Sequence, residues 1–230
     1  MFKSQERELL DFVKNDEECV KQLKKFDDSE ALAIWEHSLT LNEPAYYLYD
    51  EKFFLVASFI CWKKYSKNYI KHLYDNEETN KLISDCESIV DLGNGLGYST
   101  QYLTNLFGDK FSAIQLPNTE QYKYNQMLKI KLVDLSNCDA DGFIAFDFME
   151  HILEPIKYLD EMLLKKPKLL IFANSFNTRA VGHFREYKVN DVMISEKKIG
   201  RHFNNHLRAK GYEKLKLKFW NDRPAVWKLK

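Results

Sequence analysis

Apolar and polar residues follow two different patterns along this chain, one on each side of about residue 87. Before it, apolar residues recur at helical intervals over residues 5–26, again after the capping run Asp27–Ser29, and a third time over residues 51–73. After it, short apolar runs alternate with helical segments, which predicts a parallel sheet wound with helices on both faces. The predicted strands are Ser88–Leu92, Phe111–Leu116, Lys129–Asp134, Gly142–Phe146 and Lys168–Ala173.

The C-terminal segment departs from this order. Residues 214–220 and 225–229 each alternate apolar and polar side chains with a period of two, and residues 221–224 between them have the composition of a turn. This pattern predicts a terminal antiparallel hairpin. The predicted fold class is therefore α/β: a doubly wound, mostly parallel sheet with a C-terminal antiparallel hairpin and an N-terminal helical extension.

Composition narrows the choice of partners. The 34 lysines and arginines balance 34 aspartates and glutamates, so the chain lacks the net charge that concentrates nucleic acid or an anionic membrane surface. The longest apolar run, Phe53–Trp62, is roughly half of what a bilayer span needs, and the first residues lack the order of a signal peptide. Cys19, Cys61, Cys86 and Cys138 form no C-x-x-C pair, which argues against a zinc knuckle or a disulfide framework. We expect a cytoplasmic protein that acts on a small molecule, without membrane or nucleic-acid partners.

The run from Ser88 to Gly97 carries the most specific motif. It is an apolar strand that contains Asp91 and ends in glycines at alternate positions, where the chain can turn sharply and its backbone can approach a ligand. The helix predicted from about Ser99 offers free N–H groups to that ligand. A dinucleotide fingerprint would require glycine in place of Tyr98. The segment resembles motif I of the class I S-adenosylmethionine-dependent methyltransferases, in which the turn holds the methionine part of the cofactor and the acidic residue lies near its amino group.

The resemblance extends to the ends of later strands, and the family's sheet likewise ends in a reversed strand. Gln115 stands where the family usually has an acidic residue that holds both ribose hydroxyls, and an amide there loses roughly a kcal/mol or more per bond. Asp134 matches a position that commonly contacts the adenine amino group, although a solvated loop aspartate is an equal alternative. The resemblance implies S-adenosylmethionine as cofactor, contacted by Asp91, Gly93, Asn94, Gly95, Tyr98, Gln115, Leu116, Asp134, Leu135 and Asp147.

The segment from Phe146 to Pro155 resembles the one after the fourth strand of many small-molecule O-methyltransferases. In helical geometry Asp147, Glu150 and His151 share one face, and His183 occurs after the fifth strand, where the family often presents a histidine to the substrate. Two interpretations stay open. Asp147, Glu150, His151 and His183 ligate Mg²⁺, Mn²⁺ or Zn²⁺, as a similar set does in small-RNA 2′-O-methyltransferases. Alternatively, His183 or His151 acts as a catalytic base without a metal.

The resemblance thus predicts an enzyme that methylates an oxygen, and less readily a nitrogen, of a small metabolite or sugar-like acceptor. Residues 85–230 would form the domain that binds S-adenosylmethionine, and residues 1–84 a helical cap that selects the acceptor. Two alternatives are an RNA 2′-O-methyltransferase with a metal site, favoured by the Asp-x-x-Glu-His pattern with His183, and a non-catalytic scaffold of the same fold, favoured by Gln115. The sequence indicates no oligomeric state.

Overall fold

The structure is a computed structural model that describes residues 26–219 and 222–230, together with Glu17 and Lys21. The helix predicted over residues 5–26 lies almost wholly outside these residues. Eight strands are present in the described part of the chain: β1 (Ile89–Leu92), β2 (Phe111–Ile114), β3 (Gly142–Phe146), β4 (Leu169–Ala173), β5 (Glu186–Val189), β6 (Val192–Ser195), β7 (Tyr212–Lys214) and β8 (Ala225–Leu229).

Six of these strands form one sheet in the order β2-β1-β3-β4-β8-β7. The four strands β2, β1, β3 and β4 are parallel, whereas β8 runs antiparallel to both β4 and β7. The predicted doubly wound sheet with a reversed C-terminal strand is confirmed. Because parallel strands carry their carboxyl ends to one edge, this topology gathers the segments after β1, β2, β3 and β4 at a single side of the molecule.

Two strand predictions were wrong in part. The strand predicted at Lys129–Asp134 is reduced to an isolated bridge between Leu132 and Ala113, because Lys129 adopts a positive φ of 57° and the segment lies half-exposed outside the sheet edge. The C-terminal hairpin exists, but its first strand is Tyr212–Lys214 rather than residues 214–220, and residues 215–219 are irregular.

The β5–β6 hairpin was not predicted. Its two-residue loop consists of Asn190 and Asp191, both at positive φ (48° and 64°), which is the geometry that closes a two-residue hairpin. Asn-Asp between the alternating segment Glu186–Val189 and the apolar segment Val192–Ser195 is the sequence signal that was available.

Helices cover both faces of the sheet. Their bounds are α1 (Ser29–Thr40), α2 (Lys52–Cys61), α3 (Lys67–Asp75), α4 (Glu77–Ser84), α5 (Tyr98–Phe107), α6 (Glu120–Met127), α7 (Pro155–Leu163) and α8 (Glu196–Ala209). A π-helical turn, Trp62–Ser66, joins α2 to α3, so the helix predicted over residues 51–73 is present with one wider turn inside it. Short 3₁₀ turns occupy Tyr46–Asp50 and Met149–His151. Among the described residues, no helix is both long and apolar enough to cross a membrane.

The central strands are buried on both sides, as expected for a parallel sheet between helical layers. Alternate residues of β3 belong to different apolar clusters: Ile144 packs with residues of α2, α3 and α5, and Phe143 packs with residues of α7 and α8. The segment before the sheet contributes to both clusters, with Ile70 in the first and Trp35 in the second.

Ile144→Ala should lower the free energy of unfolding by about 2–5 kcal/mol, because Ile144 is fully buried in β3 between β1 and β4 and its loss leaves a cavity. Urea unfolding followed by circular dichroism measures this. Leu164→Ala is the control, because the side chain of Leu164 is 79% exposed. Equal losses in the two variants would contradict the assigned core.

Candidate functional site

A cleft of about 1040 Å³ opens at the carboxyl ends of β1, β2 and β3. The turn after β1, the residues after β2 and β3 and the loop after β4 all line it. Much of the remaining wall is aromatic, formed by Phe26, Tyr46, Tyr49, Phe53, Phe54, Trp62, Tyr98, Phe146, Phe148 and Tyr158. Ligands of open α/β sheets bind at this edge, so the cleft is the candidate functional site.

The glycine turn that lines the cleft requires glycine for two physical reasons. Gly93 and Gly97 adopt positive φ values of 60° and 91°, which side chains disfavour. A Cβ on Gly93 would also overlap the ring of Phe148, and one on Gly97 would lie 2.9 Å from Oδ1 of Asn125. The turn is therefore packed tightly from both sides while its backbone faces the cleft.

Asp91 lies at the end of β1 and lines the cleft although its side chain is almost fully buried. Its Oδ2 accepts hydrogen bonds from the hydroxyls of Ser99 (2.7 Å) and Thr100 (2.9 Å) at the start of α5. Burial raises the pKa of Asp91 to about 6, against the opposing effect of the two hydroxyls. Asp91 thus places a carboxylate at the turn that is ionised at neutral pH.

Gln115 is bound to the glycine turn. Its Nε2 donates to the carbonyl of Gly95 (3.0 Å), and its Oε1 accepts from the backbone N–H of Leu116 (2.8 Å). Nδ2 of Asn125 donates to the same carbonyl at 2.8 Å. Asn94 is equally engaged, because its amide donates to Thr100 and Asn125. A carboxylate in place of Gln115 could not donate to Gly95, so the amide has a structural use here.

Some of the remaining residues predicted to contact the cofactor line the cleft, and one does not. Leu116, 60% exposed, and Asp134 line the cleft, whereas Leu135 packs into the apolar cluster below and does not line it. Tyr98 lines the cleft and stacks on Trp62, with ring centroids 6.0 Å apart.

The cleft also brings together Asp147, His151 and His183, each with one oxygen or ring nitrogen within 4.8 Å of the others. Nε2 of His183 lies 3.8 Å from Oδ1 of Asp147, and the two imidazole rings meet edge to face with centroids 4.7 Å apart. Asp147 follows β3 directly and holds a positive φ of 52°, a conformation that is strained for a residue with a Cβ.

Glu150 does not join this cluster. It is fully buried, and its Oε1 accepts a hydrogen bond from the backbone N–H of Ser175. Burial and the neighbouring carboxylate of Asp147 raise the pKa of Glu150 well above its usual range. Three of the four predicted metal ligands therefore converge, and the fourth holds the loop after β4.

Burial favours the neutral form of both histidines. It lowers the pKa of His151 to about 4, with a further contribution from His183, and it lowers the pKa of His183 as well. Nδ1 of His183 lies 2.9 Å from the carbonyl of Thr178, which can only accept, so this nitrogen carries the proton. Nε2 of His183 is then an unprotonated nitrogen beside Asp147, able to take a proton or bind a metal ion.

Residues before the sheet hold the two histidines in place, a role that the sequence did not indicate. The hydroxyl of Tyr49 lies 2.7 Å from Nδ1 of His151, and Nε1 of Trp35 donates to the carbonyl of His183 at 2.8 Å. Glu36 accepts hydrogen bonds from Arg179 and Arg185, which flank His183. The sequence shows that the N-terminal part is rich in aromatic residues. It does not show which of these rings contact the histidines, because that depends on how the segment before the sheet packs against the sheet.

Glu36→Gln should remove a pH-dependent contribution of Glu36 to the free energy of unfolding. Hydrogen bonds from Arg179 and then Arg185 lower the pKa of Glu36 from 4.5 to about 2. Between these values the folded protein binds fewer protons than the unfolded chain, so the stabilisation is complete above about pH 4.5 and is lost as the pH falls toward 2. The measurement is the free energy of unfolding by denaturant, for wild type and variant, from about pH 7 to about pH 2. Glu120→Gln, which breaks an exposed pair with Lys123 inside one helix, is the control.

The fold can be compared with known structures. No protein-family model matches this sequence, and neither does any curated protein. An O-methyltransferase family protein from Burkholderia thailandensis superimposes with a TM-score of 0.52 at 10% identity, over 79% of this chain and 60% of that one. The fold is that of the class I S-adenosylmethionine-dependent methyltransferases.

Two further structures with the methyltransferase fold show weaker similarity. The methyltransferase domain of the bacterial protein CtHen1 gives a TM-score of 0.46 at 16% identity, over 66% of this chain and 94% of that one. The sugar N-methyltransferase KedS8 from a Streptoalloteichus species gives 0.47 at 12% identity, over 73% of this chain and 90% of that one.

Proposed function

We propose that this protein transfers a methyl group from S-adenosylmethionine to an oxygen, and less readily to a nitrogen, of a small metabolite or sugar-like acceptor. The observation that carries the proposal is one cleft lined both by the glycine turn with Asp91 and by the Asp147–His151–His183 cluster. A cofactor site and a proton-accepting group would thereby face the same space, at the edge of the sheet where this fold binds ligands.

The residues around the glycine turn fit the cofactor. The turn exposes backbone without side chains, and the buried carboxylate of Asp91 suits the ammonium group of a bound amino acid. The exposed side chain of Leu116 offers an apolar surface for a planar base. Gln115 fits less well, because its Nε2 is engaged by Gly95 and its Oε1 by Leu116, so ribose hydroxyls would share these atoms. When bound, S-adenosylmethionine supplies a methyl group on a positively charged sulfur.

The chain's own residues would prepare the acceptor. Nε2 of His183 would accept the proton of the acceptor hydroxyl, which raises the nucleophilicity of the oxygen. The carboxylate of Asp147, 3.8 Å away, would stabilise the imidazolium that forms. The aromatic walls would exclude water and orient the acceptor.

A metal ion is a second way to activate the acceptor. Asp147, His151 and His183 would supply one carboxylate oxygen and two imidazole nitrogens, a donor set that suits Mn²⁺ or Zn²⁺ better than Mg²⁺, which prefers oxygen ligands. Such an ion lowers the pKa of a bound hydroxyl. In calorimetric titrations of metal-stripped protein, one Mn²⁺ or Zn²⁺ should bind per chain in the wild type. None should bind at the same concentration in His183→Gln, and His206→Gln on α8 serves as the control.

The first test of the proposed function is a calorimetric titration of metal-stripped protein with S-adenosylmethionine and with its demethylated product, repeated after addition of Mg²⁺ or Mn²⁺. Saturable binding supports the proposal and justifies a screen of hydroxylated small molecules with labelled cofactor. A short RNA belongs in the same screen, because a salt-sensitive gel shift would favour the RNA alternative. Absence of heat under every condition would overturn the proposal.

A non-catalytic scaffold is the second candidate, and the engagement of Gln115 by the glycine turn favours it. In a scaffold, the amide would serve only to hold the turn, and no ribose contact would be needed. The two candidates differ in the titration described above, since a scaffold of this kind has no affinity for the cofactor to lose.

A further inference from the structure

The two histidines of the cluster have different hydrogen-bond partners on Nδ1. The partner of His183 is the carbonyl of Thr178, at 2.9 Å, which accepts a hydrogen bond and cannot donate one. The partner of His151 is the hydroxyl of Tyr49, at 2.7 Å, which can do either. The position of the proton on His151 therefore depends on what the tyrosine hydroxyl does.

The surroundings of Tyr49 favour donation. Its ring packs against Phe54 and Trp35, and the backbone of Gly182 closes one side of the contact, so closely that a Cβ there would overlap both Nδ1 of His151 and the hydroxyl of Tyr49. A phenol hydroxyl carries its proton at neutral pH, so it is able to donate. Within the described residues, Nδ1 of His151 is the hydrogen-bond partner of that hydroxyl. If Nδ1 carried the ring proton it would donate to the hydroxyl oxygen and leave the buried phenol O–H without this acceptor, so donation from the hydroxyl is favoured.

We propose that Tyr49 is a positioning residue that holds neutral His151 in the tautomer with its proton on Nε2, the opposite of the tautomer of His183. Donation from Tyr49 occupies the lone pair on Nδ1, which leaves the ring proton on Nε2. In His183 the proton is on Nδ1 and the lone pair on Nε2. The cluster then contains one imidazole that presents a proton acceptor and one that presents an N–H donor. These tautomers describe the metal-free protein, because a metal ion bound by His151 would require a nitrogen lone pair that this tautomer does not offer.

The two tautomers give the two histidines different roles, whereas the sequence alone does not say which of them acts as the base. His183 would be the base that accepts the acceptor's proton, and the N–H of His151 would orient Asp147 or the acceptor oxygen by a hydrogen bond. This division of roles rests on the proposed function, whereas the tautomers themselves are a property of the protein alone. The residue responsible lies in the segment before the sheet, so that segment would contribute to the reacting groups as well as to the acceptor site.

The tautomers are measurable by two-bond ¹H–¹⁵N correlation spectra of uniformly ¹⁵N-labelled protein at neutral pH, with ring signals assigned from His151→Gln and His183→Gln. We expect Nδ1 of His151 and Nε2 of His183 in the range of unprotonated nitrogens. In Tyr49→Phe, which retains the ring, the His151 signals should move to the averaged values of a tautomer mixture while those of His183 stay in place. A proton on Nδ1 of His151 in the wild type, or unchanged His151 signals in Tyr49→Phe, would overturn the proposal.

Tyr212→Phe is the matched control. It removes a comparable hydroxyl hydrogen bond, to the carbonyl of Pro167 at 2.6 Å, in β7 and away from the cleft, so the histidine spectra should not change. Because the wild-type spectrum alone tests the assignment, the proposal stays open to refutation even if a variant folds poorly.

A kinetic readout links the tautomer to the chemistry. Once an acceptor is known, Tyr49→Phe should lower kcat about 10-fold with little change in KM for S-adenosylmethionine, the size of effect usual for a group that orients a functional histidine. An unchanged kcat would overturn the catalytic part. If no methyl transfer occurs, the proposed function fails while the tautomer result stands, so the two failures are distinguishable.

Discussion

Asp91→Asn should lower the affinity for S-adenosylmethionine by roughly 10- to 100-fold, the effect expected when a charge-assisted hydrogen bond to a buried carboxylate is lost. The amide has nearly the same shape and still accepts from Ser99 and Thr100 through its oxygen, so the turn and the start of α5 should persist. Calorimetric titration measures the affinity, and circular dichroism confirms the fold. Unchanged affinity in the variant would show that Asp91 faces no positive group of the ligand.

The pH dependence of binding gives an independent check on the same residue. Because burial raises the pKa of Asp91 to about 6, its carboxylate takes up a proton when the pH falls through that value. The affinity of the wild type for a cationic ligand group should therefore decrease below about pH 6, and that of Asp91→Asn should not show this step. Asp139→Asn, an exposed position that does not line the cleft, should behave as the wild type in both experiments.

The sequence predicted the parallel core of the fold because buried parallel strands are continuous apolar runs, as in Ile89–Leu92 and Leu169–Ala173. The strand predictions failed where the pairing of a segment depends on the strands that lie beside it rather than on its own pattern of apolar residues. Residues 129–134 have the composition of a strand. Lys129 adopts a left-handed conformation, however, and the segment lies beside the edge strand β2, with which it forms only an isolated β-bridge. Residues 215–219 alternate like a strand and still lie outside the regular pairing of β7 with β8.

The candidate site could be predicted from the sequence where its residues lie at or after the carboxyl ends of parallel strands. Asp91 lies near the end of β1, Asp147 follows β3 and His183 lies in the loop after β4, and the topology brings the ends of these strands to one edge of the sheet. Glu150 shows the limit of the argument. The helical spacing that groups it with Asp147 and His151 does not apply in the short 3₁₀ turn, and its side chain binds the backbone of Ser175 instead.

Gly182→Ala is the substitution from which we expect the largest disturbance of the histidine cluster. Gly182 holds a positive φ of 86°, and an added Cβ would overlap Nδ1 of His151 and the hydroxyl of Tyr49. Both groups are held by the hydrogen bond between them, so relief of the overlap requires that this bond be broken or the loop after β4 be displaced. We expect a loss of about 1–3 kcal/mol in the free energy of unfolding, together with altered ring signals of His151 and a fall of about 10-fold or more in methyl transfer.

Gly211→Ala separates the steric effect from the cost of the backbone conformation. Gly211 has a nearly identical φ of 90°, but a Cβ there would make only an ordinary contact, 3.8 Å from Cδ1 of Leu229. Its substitution should therefore lower stability by about 1 kcal/mol through backbone strain alone and leave the histidine signals and the affinity for S-adenosylmethionine unchanged. If the two variants disturb the His151 signals equally, the contact of Gly182 with Tyr49 and His151 does not determine the geometry of the cluster. If only Gly182→Ala does so, the close approach of the loop after β4 is what holds the tyrosine and the histidine together.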